Sequence, residues 1–113
     1  MIFYYPILHT ILFILNIAIS SDLNSTFHIS DSLYYEGLYK KSFLKIKKVY
    51  EDNNNNADVV FRMARSIFLK AMEEKNKNKQ IKYYYEGFEY AKKALRLDSE
   101  NGYVNFWYAA YLG

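Results

Sequence analysis

The chain contains no cysteine in its 113 residues. This absence excludes a disulfide scaffold, a thiol nucleophile and a cysteine-bound zinc site. Histidine occurs only at His9 and His28, which leaves little imidazole for a metal site or a catalytic triad. The single proline is Pro6, and no run of alternating apolar and polar residues reaches the length of a strand. We therefore expect an all-α, non-enzymatic protein with no catalytic residues, no metal ion and no cofactor.

Charge of one sign is not strongly in excess either. The chain has 15 lysine and arginine residues and 12 aspartate and glutamate residues, which gives a formal net charge of +3 at pH 7. Nucleic-acid binding needs denser positive charge or a known module, so we expect no nucleic-acid partner. The chain is rich in aromatic residues instead, with 13 tyrosines and 8 phenylalanines. This content indicates a folded chain rather than a disordered one.

Residues 1–20 carry no charged side chain and form a hydrophobic segment that has two interpretations. In the first, the segment is a secretory signal peptide, because Ala18 and Ser20 supply the small residues that precede a cleavage site. In the second, residues 2–19 are a retained membrane anchor, near the short end of what crosses about 30 Å of hydrocarbon. The residues do not decide between the two. Asn24 begins a glycosylation sequon, which matters only if the chain is secreted.

The rest of the chain divides into a linker and a helical domain. Residues 21–30 are polar and lack a period, so they are predicted to be the linker. From residue 31 onward, apolar side chains recur at helical spacing, in stripes within residues 39–50, 60–72, 81–95 and 104–112. Asn56 is a predicted N-cap, and the polar residues 73–80 are a predicted join between two helices.

Short segments echo each other along this helical part. The segment YYEGL at residues 34–38 recurs as YYEGF at residues 84–88. A second echo pairs VFRMA at residues 60–64 with VNFWYA at residues 104–109. These residues resemble the tetratricopeptide repeat, a helix pair of about 34 residues. The unit in this chain is longer, which predicts an insertion around residues 73–83.

The elongated unit, the run EGFEYAKKAL at residues 86–95 and the WYA ending at residues 107–109 resemble the regulator of microtubule dynamics family. The resemblance covers residues 33–113. It implies tetratricopeptide-like antiparallel helix pairs, a partial α-solenoid over residues 31–113, after an N-terminal hydrophobic helix. It also implies association with microtubules or spindle poles, and in some members a membrane anchor at mitochondria. Because the chain stops inside a helix, we interpret it as a partial member.

Two clusters of lysines are the candidate partner-binding residues. They could form a basic surface that faces the acidic tails of tubulin, and the alternative is that they are solvated helix faces. The candidates are Lys40, Lys41, Lys45, Lys47, Lys48, Lys70, Lys75, Lys77, Lys79 and Lys82.

Aromatic and acidic residues have simpler interpretations. Packing between repeat helices is favoured over the lining of a peptide groove for Tyr34, Tyr35, Tyr84, Tyr85 and Trp107. Trp107 is expected to pack against residues 88–95, whereas Tyr111 and Leu112 are expected to be exposed. No base or metal ligand at a suitable spacing accompanies Glu36, Glu86 and Glu89, so these glutamates are expected to be solvated.

The sequence thus predicts a non-catalytic interaction scaffold, associated with microtubules or with another protein. We expect it in the cytoplasm, at microtubules or on the cytosolic face of a membrane such as the mitochondrial outer membrane. The alternative is a secreted or lumenal helical protein, delivered by residues 1–20 as a signal peptide.

Overall fold

The computed structural model describes residues 22–113, and in that part of the chain all regular structure is α-helical. The helices are α1 (residues 22–35), α2 (Tyr39–Tyr50), α3 (Ala57–Glu73), α4 (Lys77–Leu97) and α5 (Gly102–Leu112). The prediction of an all-α fold is therefore confirmed over these residues. The predicted N-terminal hydrophobic helix, whether signal peptide or anchor, lies outside the described residues. No helix within residues 22–113 is long and apolar enough to cross a membrane.

Asparagine side chains start three of the helices. The Asn56 side chain accepts hydrogen bonds from the backbone N–H groups of Asp58 and Val59 at the start of α3, as predicted. Asn101 caps α5 in the same way, and the Asn76 side chain accepts one such bond, from the N–H of Lys79, at the start of α4. Each cap satisfies N–H groups that have no partner inside the helix, and such a cap typically contributes about 1 kcal/mol.

The prediction of a linker at residues 21–30 is wrong for residues 22–30, which are helical. Leu23 and Phe27, one turn apart, pack against the cluster around Ile46 in α2. One turn further on, Ser30 is fully buried, and its Oγ lies 3.0 Å from the Oγ of Ser42 in α2. The two small side chains allow a close helix crossing and also satisfy each other's hydroxyl groups. This stripe is too sparse and too polar to stand out as a hydrophobic period.

A glycine ends α1 and sets the turn into α2. Gly37 has a φ of 81°, a left-handed conformation that residues with a Cβ atom rarely adopt. Its N–H donates to the carbonyl of Tyr34, and the N–H of Leu38 donates to the carbonyl of Leu33. This pair of bonds is the Schellman motif, which terminates a helix and satisfies its last carbonyls.

The predicted join at residues 73–80 is shorter than expected. The helix α3 ends at Glu73 and α4 begins at Lys77, so residues 77–80 form the first helical turn of α4. The side chain of Gln80 turns back and donates to the carbonyl of Ala71 at 2.9 Å, which satisfies the end of α3. The extra residues of the unit therefore lengthen the two helices, to 17 and 21 residues, and do not form a loop.

The contacts between helices show how the chain alternates in direction. Early α3 packs with late α4 through Val60 and Ala94, whereas late α3 meets early α4 through Phe68 and Tyr84, so the two helices are antiparallel. The helices α3 and α5 are parallel, because Phe61 stacks on Tyr103 and Phe68 meets Tyr111 further along both. The core is centred on α3, in which a continuous run of residues from Val59 is buried or nearly so.

Only one of the two sequence echoes corresponds to equivalent structure. Residues 34–38 form the end of α1 and the turn after it, but residues 84–88 lie in the middle of α4. Residues 60–64 and 104–109 both lie in the first turns of a helix that begins after an asparagine cap.

The expected exposure of Tyr111 is wrong. Its hydroxyl donates to the carbonyl of Ala64 in α3 at 2.5 Å. Its ring lies where α4 has no side chain, because a Cβ built on Gly87 would be only 1.8 Å from the Tyr111 hydroxyl oxygen. Burial raises the pKa of Tyr111 above its ordinary value. Leu112, in contrast, is 63 % exposed. Trp107 is 7 % exposed and packs with Ala94 and Leu95 as expected, and also with Phe68 and Tyr34.

We predict that Gly87→Ala destabilises the protein. Intrinsic helix propensity favours alanine by about 1 kcal/mol, but the clash with Tyr111 opposes it. The tyrosine hydroxyl is hydrogen-bonded and its ring is packed, so relieving the clash should cost about 1–3 kcal/mol. In a Tyr111→Ala background the clash is absent, and Gly87→Ala should then be stabilising. Free energies of unfolding from urea titrations of the four variants test this change of sign, and an equal effect in both backgrounds would contradict it.

Candidate functional site

The candidate lysines lie on α2, at the end of α3, and at the start of α4 with the join before it. All of them are exposed except Lys45, which is half-buried. Within residues 22–113, none of them has its ammonium nitrogen within 4.0 Å of a carboxylate oxygen. Their charges are thus not neutralised by ion pairs in this part of the chain, and remain available to an anionic partner.

Phe43 brings the two predicted lysine clusters together. The Nζ atom of Lys47 in α2 lies 5.8 Å from the centroid of the Phe43 ring, and that of Lys70 in α3 lies 5.7 Å from it. The two ammonium groups are no farther apart than the sum of these distances, which is comparable with the Debye length of about 10 Å at 0.1 M salt. The electrostatic fields of the two groups therefore overlap at ordinary ionic strength.

The basic surface around Phe43 extends to Tyr83 and Lys79 in α4 and to Lys40 in α2. Lys70 also lies 4.4 Å from the centroid of Tyr83 in α4. Lys79 lies one helical turn before Tyr83, and Lys40 lies two turns before Lys47, so both share the faces of these residues. We call Lys40, Lys47, Lys70 and Lys79, together with Phe43 and Tyr83, the lysine surface. The ammonium groups of Lys47 and Lys70 lie within about 6 Å of these ring centroids, the range of cation–π attraction.

The other candidate lysines are not brought into this surface. Lys41, Lys45 and Lys48 follow one another at helical spacing on a different face of α2. The rest lie at the join and in the first turns of α4: Lys75, Lys77 and Lys82. Asn24 lies exposed near the start of α1, and its glycosylation stays a prediction.

A second cluster, which the sequence analysis missed, joins α1 to α3 through one carboxylate and two guanidinium groups. Asp31 accepts two hydrogen bonds from Arg62, from Nε at 2.9 Å and from Nη2 at 2.8 Å. The Nη1 atom of Arg65 lies 2.8 Å from the same carboxylate. Pairs separated by 31 or more positions leave no local signal in a sequence, unlike the i, i+4 pairs of a single helix.

Burial sets the electrostatics of this cluster. Arg65 is 5 % exposed, its guanidinium lies over the ring of Tyr34 at 4.3 Å, and burial lowers its pKa from the ordinary value. Burial alone would raise the pKa of Asp31, but the hydrogen bonds and charges of Arg62 and Arg65 outweigh it and hold that pKa below 3.8. Because the two arginines lower the pKa of Asp31, its carboxyl group is ionised at neutral pH.

This cluster forms the floor of a groove of about 890 Å³ between α1, α3 and α5. Aromatic side chains form its walls, and three of them are largely exposed: Tyr35 at 79 %, Tyr103 at 66 % and Phe106 at 64 %. Its rim carries the carboxylates of Asp58, Asp98 and Glu100. We call this region the aromatic groove.

The aromatic residues named from the sequence divide between two roles. Tyr34, Tyr84 and Trp107 make ring contacts between helices, as expected. Tyr35 and Tyr85 are 79 % and 71 % exposed, so the packing prediction is wrong for them. Each directly follows the tyrosine that packs, and neighbouring positions on a helix are rotated by about 100° from each other.

The candidate acid residues are not assembled into a catalytic arrangement. Glu36 follows the last turn of α1 and is exposed, as is Glu86 in α4. Glu89 lies 2.6 Å from the ammonium of Lys92. Among residues 22–113, no group of three or more histidine, cysteine, aspartate or glutamate side chains could hold a metal ion.

Over residues 22–113, these features define a helical domain that presents both a basic surface and an aromatic groove. The family model of regulator of microtubule dynamics protein 1-3 matches residues 26–113, from the second turn of α1 through α5. The chain therefore belongs to the regulator of microtubule dynamics family, as the sequence analysis predicts. No curated protein and no solved structure matches the chain.

We predict that Asp31→Asn lowers the free energy of unfolding by about 3 kcal/mol, because it leaves two guanidinium groups, one of them buried, without a counter-charge. The matched control is Asp52→Asn, which removes the same charge from an exposed turn and should change stability by less than about 0.5 kcal/mol. Urea titrations at pH 7 measure both. Equal effects of the two substitutions would contradict a role for the cluster in holding α1.

The same cluster predicts the direction of a pH effect. The pKa of Asp31 is lower in the folded protein than in the unfolded chain, so its contribution is fully present above the unfolded value of 3.8. That contribution is lost as the pH falls through the lowered folded value. The stability difference between wild type and Asp31→Asn should therefore be constant from pH 7 to pH 5 and shrink below pH 3.8. A difference that shrinks already between pH 7 and pH 5 would contradict this assignment.

Proposed function

We propose that this protein is a non-catalytic interaction scaffold that binds microtubules through the lysine surface. The observation that carries the proposal is the convergence of Lys47 of α2 and Lys70 of α3 on the ring of Phe43, which joins lysines from two helices into one basic face. Membership of a family named for the regulation of microtubule dynamics supports the choice of partner. In this proposal the protein acts in the cytoplasm.

The scaffold is proposed to consist of tetratricopeptide-like helix pairs. The alternation of α3, α4 and α5, in which the first and third are parallel and the second is antiparallel to α3, supports this interpretation. The equivalent starts of α3 and α5 after asparagine caps support it as well. In such an arrangement each helix pair buries its apolar face against its neighbours and leaves the outer faces free for partners.

The proposed mechanism is electrostatic attraction with limited side-chain ordering. The acidic tails of tubulin are flexible, so a partner of this kind needs a basic face and not a shaped pocket. Lysine side chains ordinarily lose rotamer freedom on binding, which opposes the attraction. Contacts with Phe43 and Tyr83 already restrict Lys47 and Lys70, so less of this freedom remains to be lost.

The test is charge reversal on two faces of the same protein. We predict that Lys40→Glu, Lys47→Glu and Lys70→Glu together lower the affinity for microtubules at least tenfold in cosedimentation, because they reverse the sign of the lysine surface. The matched control is Lys41→Glu, Lys45→Glu and Lys48→Glu, which changes the net charge equally on a different face of α2. We expect the control to lower the affinity by less than threefold.

The outcomes distinguish binding through the lysine surface from binding that depends only on the net charge of the protein. Equal losses in the two triple variants would mean that net charge, and not the lysine surface, governs binding. Binding of wild type should also weaken as added salt shortens the Debye length from about 10 Å at 0.1 M to about 3 Å at 1 M. Cosedimentation that survives both the first triple reversal and 0.5 M salt would overturn the proposal. Circular dichroism of each variant checks that the helices remain formed.

A further inference from the structure

We infer that the aromatic groove is a second docking site, and that its occupant is a basic segment of another protein, with arginine or lysine side chains seated between the aromatic walls and the acidic rim. The inference concerns the region between α1, α3 and α5 and does not depend on the binding of microtubules. It rests on exposed rings, on a local charge opposite to that of the chain, and on asparagine caps that already bind two N–H groups at each neighbouring helix start.

The exposed rings are concentrated at this place. Tyr35, Tyr103 and Phe106 come from two helices, and each is more than three-fifths exposed, yet all three line one groove. Single exposed aromatic residues are common on protein surfaces, but a contiguous group with a polar rim is typical of an interaction site. The groove volume of about 890 Å³ accommodates more than one side chain of a partner.

The charge around the groove has the opposite sign to that of the whole chain. The chain carries +3, but the carboxylates that line the groove are Asp31, Asp58, Asp98 and Glu100, against only Arg62 and Arg65. Both arginines are already bound to Asp31 at the floor. An incoming side chain therefore meets first the three rim carboxylates, none of which forms an ion pair within the described part of the chain.

An anionic segment is the main rival, because α3 and α5 both begin beside the groove and the start of a helix attracts anions. Here, however, the side chains of Asn56 and Asn101 already accept two of the N–H groups at each helix start, which an anion would otherwise bind. Asp58 adds a negative charge in the first turn of α3, and its Oδ1 accepts a hydrogen bond from Asn101. Two N–H groups at each helix start are thus already bound, and Asp58 partly neutralises the start of α3, so the acidic rim favours a cationic ligand over an anionic one.

A cationic side chain satisfies both features of the groove at once. A guanidinium or ammonium group placed over a ring is attracted by the negative face of the π-system, and the same group can pair with a rim carboxylate. The protein itself makes this kind of contact at the floor, where Arg65 lies over Tyr34 and pairs with Asp31. An apolar segment would cover the rings but would leave the rim carboxylates desolvated and unpaired.

The protein contains its own reporter for the groove. Trp107 is the only tryptophan of the chain, is 7 % exposed and lines the groove next to Phe106. The probe is an acetylated and amidated peptide that alternates arginine with glycine and has no aromatic residue. We expect it to change the Trp107 fluorescence saturably, whereas the same peptide with glutamate in place of arginine should not. Absence of a saturable change up to 1 mM arginine peptide, or an equal response to the glutamate peptide, would overturn the inference.

Substitutions at the rim and walls locate the binding. Asp98→Asn with Glu100→Gln should weaken binding of the arginine peptide at least tenfold, because both residues are exposed carboxylates of the rim. The matched control is Glu51→Gln with Asp52→Asn, which removes the same charge elsewhere and should change the affinity less than twofold. Tyr35→Ala with Phe106→Ala should also weaken binding at least tenfold, whereas Tyr85→Ala, an equally exposed tyrosine outside the groove, should not.

Two further outcomes keep this inference separate from its alternatives. The Lys40→Glu, Lys47→Glu and Lys70→Glu variant should bind the arginine peptide as wild type does, so that failure of one site leaves the other testable. Equal losses in the rim variant and its control would mean that binding is not located in the groove. Concentration-dependent self-association in analytical ultracentrifugation that the rim substitutions abolish would assign the groove to a second copy of the chain, and would overturn the proposed occupant.

Discussion

The buried guanidinium of Arg65 requires a counter-charge, and this requirement determines where α1 lies. Leaving a buried charge without a partner costs several kcal/mol, and the apolar neighbours of Arg65 in α3 cannot provide one. Asp31 provides it from α1, and Tyr34 covers the other side of the guanidinium. The position of the second half of α1, the floor of the aromatic groove and the contact of Tyr34 with Trp107 all depend on this pairing, beside the Ser30–Ser42 contact.

The same packing separates charge on the molecule. Where α2 packs against the end of α3, Lys47 of α2 and Lys70 of α3 both lie near the ring of Phe43, so positive charge is concentrated there. At the other end of α3, the turn before α5 brings Asp98 and Glu100 next to Asp58, so the groove is acidic at its rim. With the two proposed sites on surfaces of opposite sign, an anionic and a cationic partner would not compete for the same site.

The sequence predicts the parts of the fold that depend on local pattern. The helices α3 and α4 have long apolar stripes, and asparagine is a preferred residue at a helix N-cap, so both helices and the Asn56 cap are predictable from the sequence. The linker prediction failed because α1 is held by a serine pair and an ion pair with distant residues, and these leave no hydrophobic period. The lysines were visible as clusters, but their convergence on Phe43 depends on how α2 packs against α3. Tyr111 was misplaced because its pocket arises from Gly87 on another helix.

If Arg65 and Asp31 hold α1 as described, α1 belongs to the same cooperative folding unit as α3. Native-state hydrogen exchange measured by NMR tests this directly, because it gives an opening free energy for each amide. The backbone amides of Ser30, Asp31 and Tyr34 should open with free energies within about 1 kcal/mol of those of Ala64 and Ile67, since α1 can detach only when the cluster is broken. Exchange of the α1 amides through a low-energy local opening, while the α3 amides stay protected, would contradict the central role of this ion pair.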